Sequence, residues 1–212
     1  MAPLRIDALG TPTLTQGRFR VQGLGQDAQT AQALRGSLLR LFEGVAVTAI
    51  RIETVDGVAE HDFSPLTGLE EAVPDFVLAA KRLRFRLPPD RSHAVIQLIA
   101  EGPRTLTSAD LPANGPLERL GEPELLCTLG AGAKLRLDLL CERGRGELLS
   151  EGRGPSPLLP GSLPIDALFS PVLIANVFRE EGGWLRAEIE TDGSLGPEEA
   201  LARAVATATS GT

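Results

Sequence analysis

AQTAQALRGSLLRLF (28–42) repeats apolar residues at steps of three and four, with Ala31, Leu34, Leu38 and Leu41 in register. That spacing puts them on one face of a helix, with Phe42 beside them and Gly44 following as a stop. Gly36, in the middle, weakens the helix by about 1 kcal/mol relative to Ala. Before the helix, TPTLTQGRFRVQGL (11–24) alternates small polar and apolar residues between glycines, which predicts one or two strands. After it, VAVTAIRIETV (45–55) is β-branched and half-alternating, a strand. The other end of the chain supplies matching parts. VLIANVFRE (172–180) and WLRAEIETDG (184–193) form a hairpin over EGG (181–183). GPEEALARAVATA (196–208) is a helix with Pro197 at its start, acids in its first turn and an Ala-rich face suited to close packing.

Between these ends the pattern changes. AVPDFVLAA (72–80) reads as a short helix with Pro74 in its first turn. LRFRL (83–87), HAVIQLIAE (93–101), ELLCTL (124–129) and KLRLDLLCER (134–143) read as strands separated by Pro- and Gly-bearing turns. SEGRGPSPLLPGS (150–162) has the composition of a long exposed loop. The order fits an α+β protein in two subdomains. One is discontinuous, with helices on a sheet, from residues 1–45 and 170–212; the other is an inserted β-rich domain, residues 46–169.

The 212 residues are 42% hydrophobic and 23% charged, ordinary for a soluble protein with a packed core. Seven Phe, one Trp and no Tyr leave that core to be filled by Leu, Val, Ile and Ala. A net charge of −7 opposes direct binding to DNA or to an anionic membrane, where Lys and Arg must displace counterions. The densest basic run, Lys81-Arg82-Leu83-Arg84-Phe85-Arg86, alternates as a solvated strand face does. Neither Cys127 nor Cys141 has a second Cys or a His at ligand spacing, so both read as buried thiols in a reducing compartment. No apolar run approaches the roughly 20 residues of a membrane span, and MAPLRIDALG lacks the charged-then-apolar pattern of a signal peptide. The expected location is the cytoplasm.

Candidate chemistry is sparse. Glu60-His61-Asp62 places a His between carboxylates, but neighbours in extended chain point to opposite faces and do not converge on one atom. His93 follows PPDRS in a turn. RGRG (143–146) and GAGAK (130–134) are glycine-rich but lack the Lys and Ser or Thr at a helix start that a phosphate loop uses. No G-x-S-x-G, H-E-x-x-H or Cys-x-x-Cys is present. The expectation is a protein without a catalytic site, cofactor or metal of its own.

Five segments in order, TAQALRGSLL (30–39), EHDFSPLTGLEE (60–71), LTSADL (106–111), CERGRGELL (141–149) and LPIDALFSPV (163–172) with ETDGSLGPEEALARA (190–204), resemble one family. It is the amino-terminal domain of the bacterial RNA polymerase alpha subunit. The resemblance spans most of the chain and implies the same two-domain arrangement, the end-built part being the dimerisation domain. It implies a scaffold that dimerises, with itself or with a second alpha, and docks the beta and beta-prime subunits for transcription.

In that family the first helix packs against its twin, so Ala31, Leu34, Leu38 and Leu41, with Leu201 and Ala204 of the last helix, are the expected dimer interface. Their stripes are expected to exceed what two small subdomains can bury. Arg35 matches one of the family's paired arginines; Gly36 stands where the second, tied to beta binding, belongs. Leu39 and Asp75 match beta-facing positions, and Lys81 and Ile165 match positions tied to beta-prime. The segment from His61 to Ser64 matches a sheet edge of the inserted domain. The family continues into a DNA-binding carboxy-terminal domain, which this sequence is expected to lack. Gly36 also admits a second reading, an alpha-like paralogue that dimerises but regulates or competes outside the polymerase core.

Overall fold

In the computed structural model, which describes residues 4–25, 27–113 and 115–210, Asp27 starts the first helix. Its Oδ1 accepts a hydrogen bond from the Thr30 amide at 2.6 Å, satisfying one of the donors that a helix start leaves open. In chain order the elements begin with β1 (Arg5–Ala8), β2 (Gln16–Gln22), α1 (Ala28–Arg40), β3 (Glu43–Thr54) and β4 (Gly57–Val58). Next come α2 (Val73–Arg82), β5 (Arg84–Arg86), β6 (His93–Glu101), β7 (Arg104–Thr107), β8 (Glu118–Leu120) and β9 (Leu125–Leu129). The chain continues through β10 (Lys134–Arg145), β11 (Glu147–Leu148), β12 (Leu163–Pro164) and β13 (Ala167–Leu168) to β14 (Val172–Glu180), β15 (Trp184–Thr191) and α3 (Pro197–Ser210). This is an α+β fold, and the contacts divide it into a unit from both ends, up to Gly44 and from Ser170 onward, and a unit from Val45 to Phe169.

In the end-built unit the strands lie in the order β1-β2-β15-β14, every pair antiparallel. Phe19 stands opposite Ala187 and Val21 opposite Leu185, so alternate residues of neighbouring strands line one face. α1 and α3 cover that face and pack on each other. Leu34, Leu38, Ala200, Leu201, Ala204 and Val205 are wholly buried there, and Arg203 lies 5.1 Å over the ring of Phe42.

In the inserted unit the largest sheet runs β12-β3-β10-β6, with β4 turned back on β3, and three two-stranded pairs surround it: β11-β13, β5-β8 and β7-β9. β10 pairs with β6 without a break from Lys134↔Glu101 to Glu142↔His93. α2 buries Val73, Phe76, Ala79 and Ala80 in a core shared with Ile50, Ile52, Leu106, Leu129, Leu135 and both cysteines. Gly68 has φ +85, and a Cβ there would lie 2.8 Å from that of Ala133; the Gly68 carbonyl accepts from the Gly130 amide at 2.7 Å. The segment 150–162 holds no strand, yet its Leu159 turns inward against Ala49 and Leu140.

One expectation is corrected, and one strand goes beyond what was read. β1 pairs with β2 along four residues, although RIDA is too short to show alternation; of the one or two strands expected within 11–24, one forms. The stretch from His61 to Ser64 is a turn rather than a sheet edge. Ser64 Oγ accepts from the amides of Glu60 at 2.9 Å and His61 at 3.1 Å, and His61 Nδ1 accepts from the Phe63 amide at 3.2 Å.

Candidate docking surfaces

The residues expected to face a second copy are placed inward. Leu34, Leu38, Leu201 and Ala204 have no exposed area and Ala31 is 8% exposed, while Leu41 is partly buried against the same core. The expectation that their stripes exceed what the chain can bury is therefore corrected: the sheet of the end-built unit covers them. The opposite side of α1 carries Gln29, Ala33 and Arg40, all exposed, with Gly36 between them. A Cβ on Gly36 would meet nothing within 4 Å.

Arg35 is exposed but anchored, its Nε donating to the Ala175 carbonyl of β14 at 2.9 Å. Leu39 is partly buried against the core. Asp75, in the first turn of α2, accepts from the Ala72 amide through Oδ2 at 2.9 Å. It thus holds the helix start while its side chain stays at the surface. Ile165 is 2% exposed, within the core. Its amide donates to the Thr48 carbonyl at 3.0 Å, so it has no apolar surface to offer a partner.

Lys81 and the residue after Ile165 do meet. Lys81 Nζ lies 2.8 Å from Asp166 Oδ2, and Asp166 Oδ1 accepts from Ser150 N and Ser150 Oγ, both at 2.7 Å. The Lys81 hydrogen bond, then those of Ser150, hold the Asp166 carboxyl well below the ordinary carboxylate range. Beside this pair opens a cleft of about 260 Å³ lined by Ala46, Val47, Arg84, Glu147, Ala167 and Leu168. Sequence reasoning named Lys81 but missed Asp166, because the two stand 85 positions apart and nothing local links them.

Three other aspartates chiefly serve the backbone. Asp27, Asp56 and Asp110 lie below their ordinary range because backbone amides, those of Thr30, Thr67 and Thr107 first, bond to them. Burial pushes the Cys127 thiol up to about 12 and raises Cys141 further. Among the described residues no three of His, Cys, Asp and Glu stand together as a metal ion would need, and no helix is long and apolar enough to cross a membrane.

A family model for the RNA polymerase Rpb3/RpoA insert domain matches residues 50–170, more than half of the chain. The DNA-directed RNA polymerase subunit alpha of Chloroherpeton thalassium is 34% identical over 199 residues, which cover 89% of this chain and 59% of that protein. The subunit of the same name from Chlorobium limicola is 33% identical over 214 residues, 96% of this chain and 63% of the relative. That from Leptospira biflexa is 34% identical over 182 residues, 81% and 55%. The chain thus spans 55% to 63% of the length of these relatives. By the extent of the match, it belongs to the RNA polymerase Rpb3/RpoA insert-domain family and is similar along most of its length to bacterial RNA polymerase alpha subunits.

Proposed function

We propose that this chain is a non-catalytic scaffold subunit of a DNA-directed RNA polymerase, which dimerises and docks the beta and beta-prime subunits in the cytoplasm. The observation that carries the proposal is the continuity of the likeness to alpha subunits through both units: the alignment with the Chlorobium limicola relative takes in 96% of the chain. Because α1 and α3 bury their apolar stripes in their own unit, dimerisation, with a second copy or with another alpha, uses the opposite side of α1, at Ala33 and Arg40, while Gly36 keeps its place among the beta-facing positions. Arg35, Leu39 and Asp75 serve beta; Lys81, with Asp166 in place of the buried Ile165, serves beta-prime. No cofactor, metal or direct DNA contact is part of the reading.

The test is co-expression of the tagged chain with the beta and beta-prime subunits of its host, followed by affinity purification at about 150 mM salt. Truncating a buried interfacial charge typically weakens binding by about 2–5 kcal/mol, so Arg35→Ala should deplete beta and Lys81→Ala beta-prime. Asp75→Asn keeps an acceptor for the Ala72 amide and so separates loss of charge from loss of the helix cap. Retention of neither large subunit by the folded wild-type chain favours the second reading, an alpha-like paralogue acting outside the polymerase core. Gly36, where the family has an arginine, is the residue that favours it.

A further inference from the structure

β6 is an edge without the usual protection. Among the described residues it pairs with β10 on one side only. Its nine residues alternate strictly between exposed and buried, and the register with β10 contains no bulge. Residues 94–100 include no Lys, Arg or Pro, the residues that blunt such edges. On the outward face Val95 is 43% and Ile99 67% exposed.

The sequence of this strand, HAVIQLIAE, is close to a palindrome about Gln97. Two copies laid antiparallel with Gln97 opposite Gln97 would put Val95 against Ile99, Ala94 against Ala100 and Ile96 against Leu98. Each strand end would bring His93 opposite the acidic Glu101. Directly opposed residues share a face, and β10 already places Glu142 beside His93 and Lys134 beside Glu101. The merged sheet would therefore carry a row Glu142, His93, Glu101, Lys134 at each end, acids alternating with basic residues from the two copies. The Glu101–Lys134 pair, at 3.2 Å within one copy, forms one end of that row.

We propose that the β6 edge is a self-association surface whose occupant is the β6 strand of a second copy, in this antiparallel register about Gln97. The contact is isologous and joins the two sheets into one. It lies in the inserted unit, apart from the α1 side to which the scaffold reading assigns dimerisation, so each contact stands or falls separately.

The experiment uses the whole chain. Val95→Cys and Ile99→Cys are made separately, mixed and oxidised. Opposed residues of paired strands have Cα atoms about 4.5–5.5 Å apart, within disulfide range, whereas each position lies about 13 Å from its own copy in this register. The mixture should give a disulfide-linked heterodimer, and each variant alone should not. The native cysteines are both fully buried and do not compete. Ile99→Lys, at an exposed position, should leave the melting temperature unchanged and weaken self-association about tenfold or more. At high concentration light scattering should then give the wild type at least twice the mass of the variant, and more than twice if the α1 contact also forms, because two different two-fold contacts link copies into longer chains. Equal masses with no heterodimer in the mixture overturn the proposal. So does cross-linking of either variant with itself, which would place another register or another face at the contact.

Discussion

Lys81 Nζ stands 2.8 Å from Asp166 Oδ2, and Ser150 occupies the other oxygen of that carboxylate through both its amide and its hydroxyl. One acidic side chain thereby ties the end of α2 to the segments on either side of the 150–162 loop. A carboxyl held below its ordinary value of 3.8 contributes stability that is present above that value and is lost as pH falls through the lowered one. Both partners are more than a third exposed, so solvent screening limits the ion pair to about 1 kcal/mol or less. Asp166→Asn should lower the urea midpoint at pH 7, and the gap between variant and wild type should close as pH falls below about 4. A gap that stays constant down to pH 2.5 would show that the charge on Asp166 does not stabilise the fold.

Leu38 and Ala33 separate folding from assembly on one helix. Leu38 is wholly buried, so Leu38→Ala removes core contacts and should destabilise by about 2–5 kcal/mol in urea unfolding, at any protein concentration. Ala33 is exposed, and Ala33→Glu should change unfolding by no more than about 0.5 kcal/mol. If the α1 side is the dimer contact, Ala33→Glu should nonetheless convert the dimer to monomer in sedimentation. An Ala33→Glu protein that sediments like the wild type removes this side of α1 from the assembly.

Cys127 and Cys141 have no exposed area, and burial raises both thiols, Cys127 to about 12. The thiolate is the reactive form, so neither should react with a disulfide reagent at pH 8 within minutes in the native protein. Both should react promptly in denaturing urea. Fast native labelling of either would mean that the inserted unit opens locally.

How much of this was legible in the sequence depends on whether the signal was local. β6 and β14 were read to the residue, β6 from its alternation over nine positions; α1 was read from its helical period, with an end two residues beyond the Ala28–Arg40 helix. β1 escaped because four residues hold too little pattern, and the Asp166 bridge because its partners are distant in the chain. The Leu34 and Leu38 stripe was read correctly as buried and wrongly as to what buries it. An amphipathic face looks the same in sequence whether its own sheet or a second copy covers it. Ile165 failed for a related reason: next to Asp166, only the register of the chain decides which of the two side chains points inward.

Gly36 gives the sharpest division between the two functional readings. It sits inside α1 with open space where a Cβ would stand, so Gly36→Ala adds helix propensity without a clash. The gain is about 1 kcal/mol, or about 2–4 °C in melting temperature for a chain of this size. Gly36→Arg should gain a few tenths of a kcal/mol less, because Arg40 lies four residues along the same face and like charges repel there. Against the beta subunit the order should reverse. A guanidinium offers planar donors to a carboxylate or carbonyl, and a hydrogen bond to a charged group contributes about 1.5–3 kcal/mol, so Gly36→Arg should bind purified beta about tenfold or more tightly than Gly36→Ala. Titration of labelled beta with the three proteins, alongside their melting curves, reads both effects. If Gly36→Arg is as stable as expected and beta binding stays undetectable in all three, the scaffold reading gives way to that of a paralogue outside the polymerase core.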